Sequence, residues 1–190
     1  EISECLVGSE MCIRDRARRE EQEELLAAIE AVWDAGIVVV AAAGNNGPKD
    51  KSITIPGLCR KIITVGSSDD EEGEVKNLGL MRGYSGRGPT EACIMKPEVV
   101  APGTAIVSCK RMGNGYEMKS GTSMATPVVA GAVAVLLSRY SNLKPAEVKL
   151  RLYETSVDTG KSKHAQGWGR LDVMQLICLL YTSPSPRDTR

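Results

Sequence analysis

Three residues of this sequence have side chains suited to chemistry at a carbonyl. Ser123 lies in Ser120-Gly121-Thr122-Ser123-Met124-Ala125-Thr126-Pro127, where a Gly-Thr-Ser turn runs into the small apolar stretch Val128 to Leu137. A helix opening there holds Ser123 at the positive end of the backbone dipole, beside N–H groups that have no intrahelical acceptor. An oxyanion formed when the serine attacks a carbonyl would be stabilised at that place. Asn45, in Ala43-Gly44-Asn45-Asn46-Gly47-Pro48, offers a carboxamide that can donate to such an oxyanion without changing its own charge. His164 is the single histidine, and imidazole is the usual base that takes a serine proton. Each residue also has a plainer role open to it. Ser123 or Thr122 can cap the helix, Asn45 can serve the turn alone, and His164, among Lys161, Lys163 and Gln166, can be a solvent-exposed loop residue.

The elements that must position these groups follow from the hydrophobic pattern. From Glu21, Leu25, Ile29 and Val32-Trp33 recur at helical spacing behind an acidic first turn, and Gly36 ends the helix. Ile37 to Ala42 is a continuous apolar run, as expected of a strand buried on both faces of a parallel sheet, and it empties into the Asn45 loop. Lys61 to Val65 reads as a second buried strand. Asp69 to Lys76 reads as an exposed charged turn and Gly83 to Thr90 as a glycine-rich loop. Lys96 to Gly103 and Ala105 to Cys109 read as further short strands, and Gly113 to Ser120 as a polar loop delivering Ser123. The helix after Ser123 has no polar face and is expected to be buried through the middle of a domain. Pro127 is expected to break little of it, lying near its start. Pro145 opens an amphipathic helix to about Tyr153, with Val148, Leu150 and Leu152 towards its buried side, and a last short helix covers Asp172 to Ile177.

Composition narrows the classes. The 190 residues suffice for one domain with a real core. Lys+Arg 24 balances Asp+Glu 24, so no bulk charge points to nucleic acid or an anionic membrane surface. The apolar stretches read as too short or too interrupted to span a bilayer. Phe is absent and Gly counts 19, which suits a close-packed α/β protein. Cys59, Cys93 and Cys109 show no metal or disulfide spacing and read as unpaired buried thiols, which leans towards a reducing compartment. No signal peptide is visible, and the compartment stays unassigned.

The full string from Gly121 to Pro127, with Val129-Ala130-Gly131, resembles the nucleophile motif of the subtilisin-like serine proteases. It departs at Val128, where that family usually has a histidine that is not the catalytic base. Ala41 to Asn45 resembles the family's oxyanion-hole segment. Ile55-Pro56-Gly57 is similar to its aromatic-Pro-Gly turn, in which a cis proline is usual. Tyr84 to Pro89, Lys96 to Gly103 and Gly167-Trp168-Gly169 resemble three further family segments, all in the family's order, so that the likeness covers about residues 21 to 177. It implies an α/β fold, a three-layer parallel sheet with helices on both faces, here incomplete. Ser123 would be the nucleophile, Asn45 and the Ser123 N–H the oxyanion donors, and Ala42, Ala43 and Gly44 one wall of the pocket for the residue before the scissile bond. The partner implied is a peptide or protein substrate, with neither nucleic acid nor membrane. No cofactor is required for the chemistry and no metal ligands are assigned, although the family admits structural calcium in the complete domain.

The family's order is Asp, His, Ser, whereas His164 follows Ser123. The expectation is therefore a C-terminal part of a catalytic domain over residues 20–177, lacking the catalytic Asp and His and inactive by itself. Residues 1–19 and the Ser/Pro-rich 178–190 are expected to be non-native or disordered ends. Two other enzyme or binding classes fit less well. Ser123, Asp158 and His164 follow the chain order of an α/β-hydrolase esterase triad, but no apolar strand leads into a Gly-x-Ser-x-Gly elbow. A nucleotide-binding domain lacks its glycine fingerprint. A non-catalytic pseudoprotease or maturation module is the remaining alternative.

Overall fold

The computed structural model describes residues 19–71 and 82–178. The expected leader and tail lie outside these residues, apart from Arg19 and Cys178, as does most of the charged segment to Lys76. Helix α1 (Arg19–Asp34) buries Ile29 and Trp33 and leaves Val32 40% exposed. It stops where Gly36 takes a φ of 91°, a backbone state that glycine adopts without a Cβ penalty.

Strands β1 (Val40–Ala42), β2 (Ile63–Ser67) and β3 (Val99–Ala101) form a parallel sheet in the order β1-β2-β3. Val40 stands opposite Ile63, and Val65 opposite Val99. The strand expected from Ile37 begins only at Val40, because pairing starts there, and Ile37 is 45% exposed. The strand expected at Lys61 to Val65 shifts towards Ser67, since Gly66 and Ser67 pair with Val100 and Ala101. β4 (Ile106–Cys109) and β5 (Tyr116–Lys119) form an antiparallel hairpin. Much of the expected polar loop is thus a strand, reached through a turn in which Gly113 and Gly115 have φ of 79° and 125°.

Helix α2 (Thr122–Arg139) lies against all three strands of the parallel sheet. Ala125, Val129, Ala132, Val133 and Leu136 face inwards. The expectation of burial all round is corrected, because Val128, Val135 and Gly131 are exposed and a single sheet covers a single side. By length and composition α2 could cross a membrane, contrary to the sequence reading, but one side of it packs on the sheet. Pro127 sits well inside the helix rather than in its first turn, so the Ser123 carbonyl loses its i+4 donor.

Helix α3 (Pro145–Thr155) starts with Pro at its first turn and buries Val148 and Leu152, whereas Leu150 is 45% exposed. After the short α4 (Lys163–Gln166), Gly167 to Leu171 runs along the outer edge of β3. Trp168 N–H donates to the Glu98 carbonyl at 2.8 Å, and Val100 N–H to the Gly169 carbonyl at 2.9 Å. Helix α5 (Val173–Cys178) adds Leu176 to the core. Of the expected buried thiols only Cys59 is buried; Cys93 and Cys109 are exposed. Asp70, expected in an exposed turn, is 3% exposed and accepts from Ser85 N–H and Lys161 Nζ.

Candidate active site

β1 ends at Ala42, and the chain leaves the sheet through Ala43 and Gly44, whose φ of 98° turns the backbone sharply. Asn45 follows, half-buried, above the N-terminus of α2. The helix is capped by the backbone of Gly121, with no side-chain cap, so neither Ser123 nor Thr122 has the capping role open to it in the sequence. Ser123 is the second residue of the helix and half-buried. No acidic residue stands in the first turn to oppose negative charge there.

Thr122 joins the two segments. Its N–H donates to Asn45 Oδ1 at 2.9 Å, and its hydroxyl donates to the same oxygen at 3.0 Å. The hydroxyl in turn accepts from Gly44 N–H at 3.1 Å. A backbone N–H can only donate, so the carboxamide oxygen must face Thr122 and the Nδ2 group is the free donor end. A Cβ on Gly121 would lie 3.1 Å from that Nδ2, which places the amide directly over the turn that presents Ser123. The carboxamide is therefore fixed in orientation by residues of the nucleophile turn itself. The Ser123 N–H, in the first helical turn, has no acceptor four residues back within the helix.

Two glycine loops hold this arrangement. Gly86 N–H donates to the Gly44 carbonyl at 2.7 Å, and a Cβ on Gly86 would fall 2.5 Å from the Ala43 carbonyl oxygen. Gly121 N–H donates to the Gly103 carbonyl at 2.9 Å. The Gly103 and Thr104 N–H groups both reach the Asp69 carboxylate, at 2.9 and 3.1 Å. Ala42 and Ala43 are 1% and 0% exposed, so the surface they can offer a ligand is narrow. The Ile55–Pro56 bond is cis.

His164 stands apart from this group. It belongs to α4 rather than a loop, and its Nδ1 pairs with Asp50 Oδ2 at 3.0 Å. Asp158 does not orient it. That carboxylate is bound by Lys163 Nζ at 2.9 Å, Gly160 N–H at 2.8 Å and Gln166 Nε2 at 2.8 Å, and Lys163 foremost holds it well below the usual carboxylate range. The esterase-type linkage of Asp158 to His164 is thus not formed. Among the described residues no group of three or more His, Cys, Asp and Glu gathers to hold a metal. Sequence reasoning missed Thr122, Gly86 and Asp69 as supports. Thr122 and Gly86 lay within recognised motifs, but only the folded chain shows what each of them touches.

Fold and site define a class: a parallel α/β sheet whose apolar helix presents a serine at its N-terminus, next to a carboxamide from a strand-end loop. The chain belongs to the subtilase family, matched over residues 9–169. It is 38% identical over 167 residues to serine protease AprX of Bacillus subtilis (strain 168), covering 81% of this chain and 38% of that protein. Subtilisin DY of Bacillus licheniformis is 36% identical, with 71% of this chain and 45% of that protein covered. Among solved structures, the prenylagaramide maturation protease PagA superposes with a TM-score of 0.63 at 26% identity, covering 86% of this chain and 56% of that one. The patellamide maturation protease PatA gives 0.62 at 26%, covering 85% and 56%. The chain therefore spans less than half the length of the two Bacillus relatives, 38% and 45%.

Proposed function

We propose that the whole protein is a serine endopeptidase that cleaves peptide bonds through an acyl-enzyme on Ser123. The observation that carries this reading is the Thr122 clamp, which fixes Asn45 Oδ1 and so aims its amide donors at the turn bearing Ser123. Ser123 Oγ attacks the peptide carbonyl, and the oxyanion is held by Asn45 Nδ2 and the Ser123 N–H. The proton passes to a histidine held by an aspartate, both supplied from outside residues 20–177, because His164 is engaged with Asp50. Without them this stretch is inactive. Ala42, Ala43 and Gly44 form one wall of the pocket for the side chain before the scissile bond. The substrate is a peptide or protein.

A serine-reactive phosphonate probe on the full-length protein tests the assignment. Labelling is expected on Ser123 and is expected to vanish in Ser123→Ala. Label that persists in that variant contradicts the assignment, and a wild-type protein that takes no label is a pseudoprotease.

A further inference from the structure

Away from Ser123, the loop ahead of β3, the end of α3, the start of α4 and residues 167 and 168 enclose a cleft. Its volume is about 550 Å³, and Met95, Tyr153, Glu154, Lys163, Gly167 and Trp168 line it. That is an ordinary size for a ligand site. Trp168 is fixed in place by its backbone. Its N–H donates to the Glu98 carbonyl at 2.8 Å, and a Cβ on Gly167, whose φ is 59°, would run into the Pro97 and Glu98 carbonyls. Tyr153 meets the Trp168 ring edge to face, with centroids 5.5 Å apart and planes at 83°. The aromatic pair is thus preformed, yet Tyr153 is 57% exposed and Met95 beside it 42%. An edge-to-face contact leaves ring faces uncovered, and such a face attracts a cation through its quadrupole.

The charges around the cleft are unequal. Lys163 Nζ is committed to Asp158 Oδ2 at 2.9 Å. That carboxylate stays ionised, because Lys163 foremost, with the Gly160 N–H and Gln166, holds it well below the usual carboxylate range. Glu154, exposed at the end of α3, meets no cation among the described residues. The rim therefore keeps one uncompensated carboxylate next to two aromatic rings. We propose that this cleft binds an arginine side chain presented by a peptide, with the guanidinium against the Tyr153–Trp168 rings and paired with Glu154, and the stem on Met95. A guanidinium suits it better than an ammonium, being planar, more weakly hydrated and able to stack on an aromatic face. The site does not rest on the proposed acyl transfer.

Titration of the full-length protein with acetyl-arginine amide tests this, with Ser123→Ala present to leave the probe uncut. The readout is the indole N–H resonance of Trp168, assigned by its loss in Trp168→Leu. A saturable shift is expected, with a Kd on the order of 1 mM, whereas acetyl-citrulline amide, of the same shape but neutral, is expected to give none. Glu154→Gln is expected to weaken binding about threefold and Tyr153→Leu about tenfold. Both side chains are exposed, so the melting temperature should hardly move. No shift, an equal shift with citrulline, or an affinity indifferent to either substitution overturns the proposal. So does tighter binding of free arginine than of the capped amide, which would make the ligand a free amino acid.

Discussion

Thr122 holds together two segments that the sequence separates by 77 positions. Its N–H and hydroxyl fix one end of the Asn45 carboxamide, so the other end is free for a ligand. On the proposed reading, Asn45→Ala in the full-length protein should lower kcat by about 10²–10³-fold and leave KM nearly unchanged, a size known from a subtilisin and therefore a family figure. An equal loss in KM with kcat preserved would show that Asn45 binds the ground state instead. Thr122 is a positioning residue, and its variants should separate position from bulk. Thr122→Val keeps the shape, but the Oδ1 acceptor loses one donor and the buried Gly44 N–H loses its acceptor, at about 1–3 kcal/mol. Its kcat should fall about tenfold, on the order of that energy, with KM unmoved. Thr122→Ser, which restores the hydroxyl, should recover most of it. Steady-state kinetics on the pair reads this directly.

At the level of elements, α2 and the two glycine loops divide the labour. α2 supplies the serine and a backbone with free donors, while Gly86 and Gly103 let neighbouring loops approach within hydrogen-bond distance of the Gly44 and Gly121 turns. Gly86→Ala should push the Ala43 carbonyl aside, costing about 1–3 kcal/mol and moving Asn45 with it. Melting temperature and kcat should then fall together, whereas a purely structural clash would lower the first alone. Much of this was legible in the sequence. The apolar runs at Val40 and Ile63, the helix after Gly121 and the Asn45 loop depend on local pattern, and local pattern persists in the fold. Less legible were the β4–β5 hairpin, whose Tyr116 to Lys119 strand is polar and exposed, and the exposed side of α2. Both depend on what stands opposite an element: for β5 it is a strand 7 to 13 residues earlier, and for α2 it is a sheet whose first two strands lie dozens of residues before it.

Across the whole molecule, the site at the C-terminal ends of the strands is matched by a charged cluster where they begin. Lys96 is pushed down to about 8 by burial first and by Lys149, against the pull of Glu98 and, more weakly, Cys59. No sequence pattern announces it, because Lys96 and Glu98 stand out only as part of a family segment and Lys149 belongs to none of the motifs. The shift fixes the sign of a pH effect. The folded chain gives up the Lys96 proton near pH 8, while the unfolded chain keeps it to about 10.4. Between those values the unfolded state binds more protons, so stability from this group rises with pH. Below pH 8 the cost of the buried charge is present in full. Lys96→Met keeps the length of the side chain and removes the titration. Denaturant unfolding of both proteins from pH 7 to 10.5 should show wild type gaining on the variant only above about pH 8, with Glu98 still held by Lys149 in each. A difference that stays flat, or that moves against the wild type, over that range would mean that Lys96 keeps its proton in the folded chain, secured by its three oxygen partners.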